Sequence, residues 1–173
     1  MKSLFGKGAS NADDAAPRYP RREIGQGVQP DEIFEVWSDL LDLSDRQPAE
    51  ITALGRWAVQ RMHEQLNALL DSADGKHSGF TFEFYNDTQD PPSTYLLVKW
   101  DELRGELGVR PLGRCLNLFG LLVLPQKWTA DPNPMVRMAK LSAAKRRDVT
   151  VFQTLLKYTL NQLGEAIDEQ RIV

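Results

Sequence analysis

The residues of this chain most able to do chemistry are basic, and they are concentrated in one stretch. From Arg110 to Arg147 there are eight Lys or Arg against Asp131 alone, a net of +7: Arg110, Arg114, Lys127, Arg137, Lys140, Lys145, Arg146 and Arg147. Such side chains pair with phosphate oxygens, and the forked guanidinium of Arg also reads the edge of guanine. The chemistry they predict is binding of DNA or RNA, with Arg110 and Arg114 the candidates for base contacts and the others for phosphate. Residues 30–75 have the opposite balance, ten Asp or Glu against three Arg, a net of −7. Two such segments give the molecule an acidic face and a basic face, or neutralise each other by packing together. The whole chain carries only −3, which is not the charge of a protein that coats nucleic acid.

Other chemistry is poorly provided for. "FGKGAS" near the start has a Gly-Lys pair without the spacing of a phosphate-binding loop. His63 and His77 lack partners at metal-ligand spacing, and no nucleophile elbow occurs. Cys115 lies in an apolar run, where a thiol is inert packing. Asp87 and Asp90 share a loop and could form an acid/base pair, although turns collect Asp for backbone reasons. No catalytic residue, metal or cofactor is assigned, and no enzyme activity is expected. One cysteine in 173 residues rules out an internal disulfide and fits a reducing cytoplasm. Neither a secretory h-region nor an apolar run of membrane-spanning length is evident, so the expectation is a soluble protein with no membrane partner.

The hydrophobic content of 42% is enough for an ordered core. Residues 1–29 show no apolar periodicity and read as a flexible N-terminal arm, with three arginines around Tyr19 in "RYPRRE"; residues 30–173 read as a single globular domain. From Pro30, the positions Ile33, Phe34, Trp37, Leu40 and Leu41 have helical spacing, with Asp31 and Glu32 in the first turn. A second helix is predicted over about Pro48 to Ser72 on the stripe Ile51, Leu54, Ala58, Met62, Leu66 and Leu69, closed by "SADGKHSG". "FTFEFYND" alternates Phe80, Phe82 and Phe84 with polar residues, so it reads as a strand that pairs with "TYLLVKW" across a proline-containing turn.

Residues 101–124 allow two accounts. In the first, Leu103 and Leu107 lie on one helical face, Asp101 caps it, Gly108 ends it, and a recognition helix follows from Pro111 through Leu112, Cys115, Leu116 and Phe119. "GLLVLPQKW" and "TADPNP" then form a strand and the tip of a wing. In this loose way the order resembles a winged helix. In the second, Gly105 and Gly113 weaken the helices and "CLNLFGLLVLP" is a third buried strand. Asn133-Pro134 starts a helix carrying Met135, Met138 and Leu141 on one side and Arg137, Lys140 and Arg147 on another. The last helix begins near Asp148, or continues from the one before, and runs through Phe152, Leu155, Leu156, Thr159, Leu163 and Ile167.

The expected architecture is therefore α+β, a helix-rich single domain with a small antiparallel sheet of two or three strands, winged-helix-like in its first account. The leading function is non-catalytic nucleic-acid binding through the basic region. The rival is a protein-interaction module or assembly subunit that docks through its acidic and basic helices, or a homodimer joined by the C-terminal helix.

Overall fold

The computed structural model describes residues 19–71, 79–89, 93–128 and 131–170. His77, Asp90, the first eighteen residues of the expected arm and the start of the expected wing tip lie outside them. The chain forms β1 (Ile33–Asp42), α1 (Pro48–Asp71), β2 (Phe80–Asn86), β3 (Thr94–Trp100), β4 (Leu103–Leu112), β5 (Cys115–Val123), α2 (Pro134–Lys140) and α3 (Ala143–Gln170). The five strands make one sheet in the order β1-β5-β4-β3-β2, every neighbouring pair antiparallel. The helix α1 and the hairpin β2–β3 stand where the sequence places them, and α2 starts at the expected Pro134 but ends at Lys140, short of the expected Leu141 and Arg147. Asn133 caps α2 by accepting the Met135 amide at 3.0 Å.

The sheet is larger than expected, five strands in place of two or three, and the winged-helix arrangement is absent from the described residues. Two stretches expected to be helical are strands. Leu103 and Leu107 are four apart, a spacing that is one helical turn and also two strand periods. Burial settles which applies: Leu103, Leu107 and Val109 are buried on one side of β4, while Arg104 and Arg110 point to the other. The turn falls at Gly113, φ +59, rather than at Gly108. In β1 the apolar residues that match a helical stripe divide between the two faces of a strand. Trp37 and Leu41 pack on the core, whereas Val36 and Leu40 are left 62% and 57% exposed.

Both long helices lie on one face of the sheet. From α1 come Ile51, Ala58, Val59, Met62 and Leu66, and from α3 come Val149, Phe152, Leu156, Leu160, Leu163 and Ile167, all buried against Leu96, Val98, Leu107, Leu116, Leu118 and Leu122. The apolar stripe of α3 thus lies inside this chain's own core. α3 begins five residues before Asp148 because Ser142 accepts the Lys145 amide on its hydroxyl at 3.3 Å, which separates α3 from α2.

Close approach of the layers requires glycine. A Cβ on Gly120 would lie 2.5 Å from Trp37 Cε3 and 2.9 Å from Leu160 Cδ1, and one on Gly108 would overlap Phe119. On Gly164 it would meet only Leu118, at an ordinary 3.8 Å. Gly120→Ala should therefore lower stability by about 1–3 kcal/mol through overpacking. Gly164→Ala, which removes glycine from a helix interior, should be neutral or stabilising by up to about 1 kcal/mol. Urea denaturation of the two variants checks this, and equal losses would contradict it.

Candidate interaction surface

The helices cover one face of the sheet, and a different set of side chains shares the other. Strand register places these in rows: Ser38–Phe119–Gly108–Tyr95–Tyr85, then Val36–Leu121–Glu106–Leu97–Glu83 on one side of it and Leu40–Asn117–Arg110 on the other. Among the described residues no helix packs on these rows. Residues 19–29, the described part of the expected arm, cross over them instead.

Glu106 anchors that crossing. Its carboxylate is fully buried, and a buried charge needs partners to offset its lost hydration. Arg22 Nη1 donates at 3.0 Å, Arg104 Nη2 at 2.6 Å and the Gly25 amide at 2.7 Å. Tyr95, also buried, donates its hydroxyl to the Arg22 carbonyl at 3.1 Å. Burial opposes the charge on Arg22, yet bonds with Tyr95 and Glu106 outweigh it and hold its pKa above the ordinary value. Burial raises the Tyr95 phenol as well. Beside this group Asp87, fully buried, accepts from Arg110 Nη2 at 3.1 Å, from the Thr88 amide at 2.8 Å and from Ser93 Oγ at 3.3 Å. The crossing segment seals Leu97 and Leu121 from water, with Gly25 lying over Leu121.

What the segment leaves open is the end of this face toward β1 and the β4–β5 turn. Val36 and Leu40 stand exposed there, as does Leu112 at 41%. Between them are Phe119, under the Arg110 guanidinium at 5.7 Å, and Asn117, which donates to Ser38 Oγ at 2.8 Å and to the Asp39 carbonyl at 3.2 Å. β1 is held on its other face by Glu35, whose carboxylate takes Lys157 Nζ at 2.7 Å, Trp37 Nε1 at 2.7 Å and the Gln153 side-chain amide. Partial burial alone would raise the Glu35 pKa; the bonds from Lys157, Gln153 and Trp37 prevail and lower it.

The eight basic residues expected to contact nucleic acid do not converge. Arg110 lies on the open face paired with Asp87, and Arg114 sits in the β4–β5 turn, donating to the Ser44 carbonyl at 3.2 Å. Lys127 pairs with Glu102 and Lys145 stacks over Trp128 at 4.7 Å, at the opposite end of those strands. Arg137 is buried and bonded to the carbonyls of Asp31 and Ile33, tying α2 to the start of β1. Lys140 pairs with Asp131 at 3.2 Å, and Arg146 and Arg147 are exposed on the first turn of α3. The break at Ser142 separates Arg147 from the face that Arg137 and Lys140 were expected to share with it.

His63 packs edge-on against Phe82 and Phe84 and bonds Asn67. Among the described residues no group of three His, Cys, Asp or Glu is placed to hold a metal, and no helix is long and apolar enough to cross a membrane. Sequence reasoning missed Glu106, Tyr95 and Arg22 as a unit, and Val36 and Leu40 as surface. A charged residue between glycines in "RGELG" was the available signal for the first. Comparison with models of known protein families, with characterised proteins and with solved structures finds no match.

Because Arg22 joins the N-terminal segment to the buried carboxylate, Arg22→Ala should cost roughly 1.5–3 kcal/mol, the loss of a hydrogen bond to a charged group. It should also speed amide hydrogen exchange across residues 19–29. Unchanged exchange there would show that the segment is held by other contacts.

Proposed function

We propose that this protein is a non-catalytic interaction module that binds a partner polypeptide at β1 and the open end of the sheet face. One observation carries the reading: Val36 and Leu40, 62% and 57% exposed on an outer strand, share a face with the exposed Leu112. Apolar side chains grouped in this way mark binding surfaces more often than isolated ones do. Covering Val36 and Leu40 would contribute on the order of 1 kcal/mol or more each. The flanking Asn117 and Arg110 supply a polar rim of the kind that surrounds such surfaces. A cytoplasmic location accompanies the proposal, supported by the single cysteine.

A display selection of random peptides on the purified protein tests it. Peptides should be enriched, and a Val36→Ser/Leu40→Ser double variant, altered only at exposed positions, should lose them while keeping its circular dichroism. No enrichment, or enrichment indifferent to the two substitutions, would sink the reading.

A second reading is favoured by Lys145, Arg146 and Arg147, exposed at the start of α3, with Lys140 and Lys127 on neighbouring elements. That corner would bind nucleic acid through phosphate, without a recognition helix and without Arg110 or Arg114. Binding to a mixed-sequence duplex and to a single strand should then weaken steeply as salt rises, and should vanish in Arg146→Ala/Arg147→Ala. Absence of binding at low salt would remove this reading.

A further inference from the structure

We propose that the outer edge of β1 takes up an extended segment of the partner as an added strand, and that this segment carries Lys or Arg alternating with apolar residues. The inference rests on the interaction-module reading and specifies its ligand.

The two outer strands of the sheet are treated differently. At β2, the chain's own N-terminal segment covers the end of the edge: Arg21 bridges Asn86, the Asn86 amide donates to the Pro20 carbonyl at 2.9 Å, and the Arg22 amide donates to the Asn86 carbonyl at 3.0 Å. At β1, no described strand pairs with the outer side. A bulge interrupts β1 only at its start, between Ile33 and Glu35, and from Glu35 to Asp42 its register with β5 is unbroken. That run contains no Pro, Gly or Lys; its charges are the acidic Glu35, Asp39 and Asp42, which blunt the edge toward acidic chains and leave it open to basic ones. An edge of this kind offers a row of amides and carbonyls to another chain.

Alternation along β1 specifies the side chains of the added strand. Those on the open face would lie beside Val36, Ser38 and Leu40, within about 5 Å of them, so they are apolar. Those on the helix face would lie beside Glu35, Trp37 and Asp39. Glu35 is already neutralised by Lys157, and Asp39 stands exposed, so the residue opposite Asp39 is basic. β1 itself has Glu35, Asp39 and Asp42 and no Lys or Arg, while Arg114 lies on the β5 side of it.

The same charges argue against a second copy of this chain. Antiparallel self-pairing centred on Asp39 sets that residue opposite itself. Centring on Ser38 brings the two Asp39 side chains onto one diagonal. Like charges so placed destabilise pairing, which favours a heterologous, basic segment.

The probe is a short capped peptide alternating Lys with Val, compared with its Glu-for-Lys counterpart, on the full chain. Fluorescence anisotropy should show the Lys peptide binding at least roughly tenfold more tightly. Its binding should slow amide exchange within Ile33–Asp42, and Asp39→Lys should weaken it about fivefold, as expected for an exposed charge contact. Equal binding of both peptides, binding that leaves the β1 amides unchanged, or no binding of either would overturn the inference. The display selection separates the two levels. Enrichment that depends on Val36 and Leu40, without a preference for basic strands, keeps the interaction module and rejects this ligand; no enrichment rejects both.

Discussion

Removal of the Glu106 carboxylate from water at the centre of the sheet is the constraint from which the open face is organised. The charge must be met by donors, and among the described strands the only one that meets it is Arg104, two residues away on β4 itself. The remaining donors come from Arg22 and Gly25, far away in sequence, so the N-terminal segment is drawn across the strands to reach them. Its crossing then covers Leu97, Tyr95 and Leu121, which no described helix reaches. Glu106, with the buried Asp87 that takes the Ile24 amide, thereby draws the segment over one half of the sheet face and leaves the half beside β1 without it.

The opposite face follows the more familiar economy of a sheet backed by helices. α1 and α3 present their apolar stripes to alternate residues of β3, β4 and β5, and glycines at 105 and 120 let the layers approach. The same face fixes β1: Trp37 fills the space above Gly120, and Glu35 reaches Lys157 and Gln153 on α3. β1 is therefore firmly attached along its inner side, while among the described residues no strand pairs with its outer side and no helix covers its open face. Rigid presentation of an unpaired strand is favourable for binding, because little ordering entropy remains to be lost when a partner docks.

Legibility from sequence varied with how completely an element is buried. α1 and the hairpin β2–β3 were readable because their patterns have one period each. β4 was not, since a four-residue spacing of leucines satisfies both periods and its glycines serve packing rather than turns. β1 was misread because an outer strand buries only part of its apolar set, so that the exposed Leu40 simulates a helical stripe with Ile33, Phe34, Trp37 and Leu41. The basic residues were correctly seen as concentrated in sequence. Their separation in space follows from the strand reading of 103–123, which carries Arg110 and Arg114 to one end and Lys127 to the other. Burial of Arg137 had no signal, because its partners are backbone carbonyls.

The pairing of β1 with β5 joins Ile33 to Val123 and Asp42 to Cys115, whereas β2 to β5 follow one another as neighbours connected through local turns. During synthesis β1 emerges long before β5, its partner among the described strands, exists. At roughly 5–20 residues per second the delay is several seconds, during which a segment rich in Ile, Phe, Val, Trp and Leu has both edges bare. Glu35, Asp39 and Asp42 interrupt that apolar run at intervals, the placing of charge that lowers the tendency of an exposed apolar strand to aggregate.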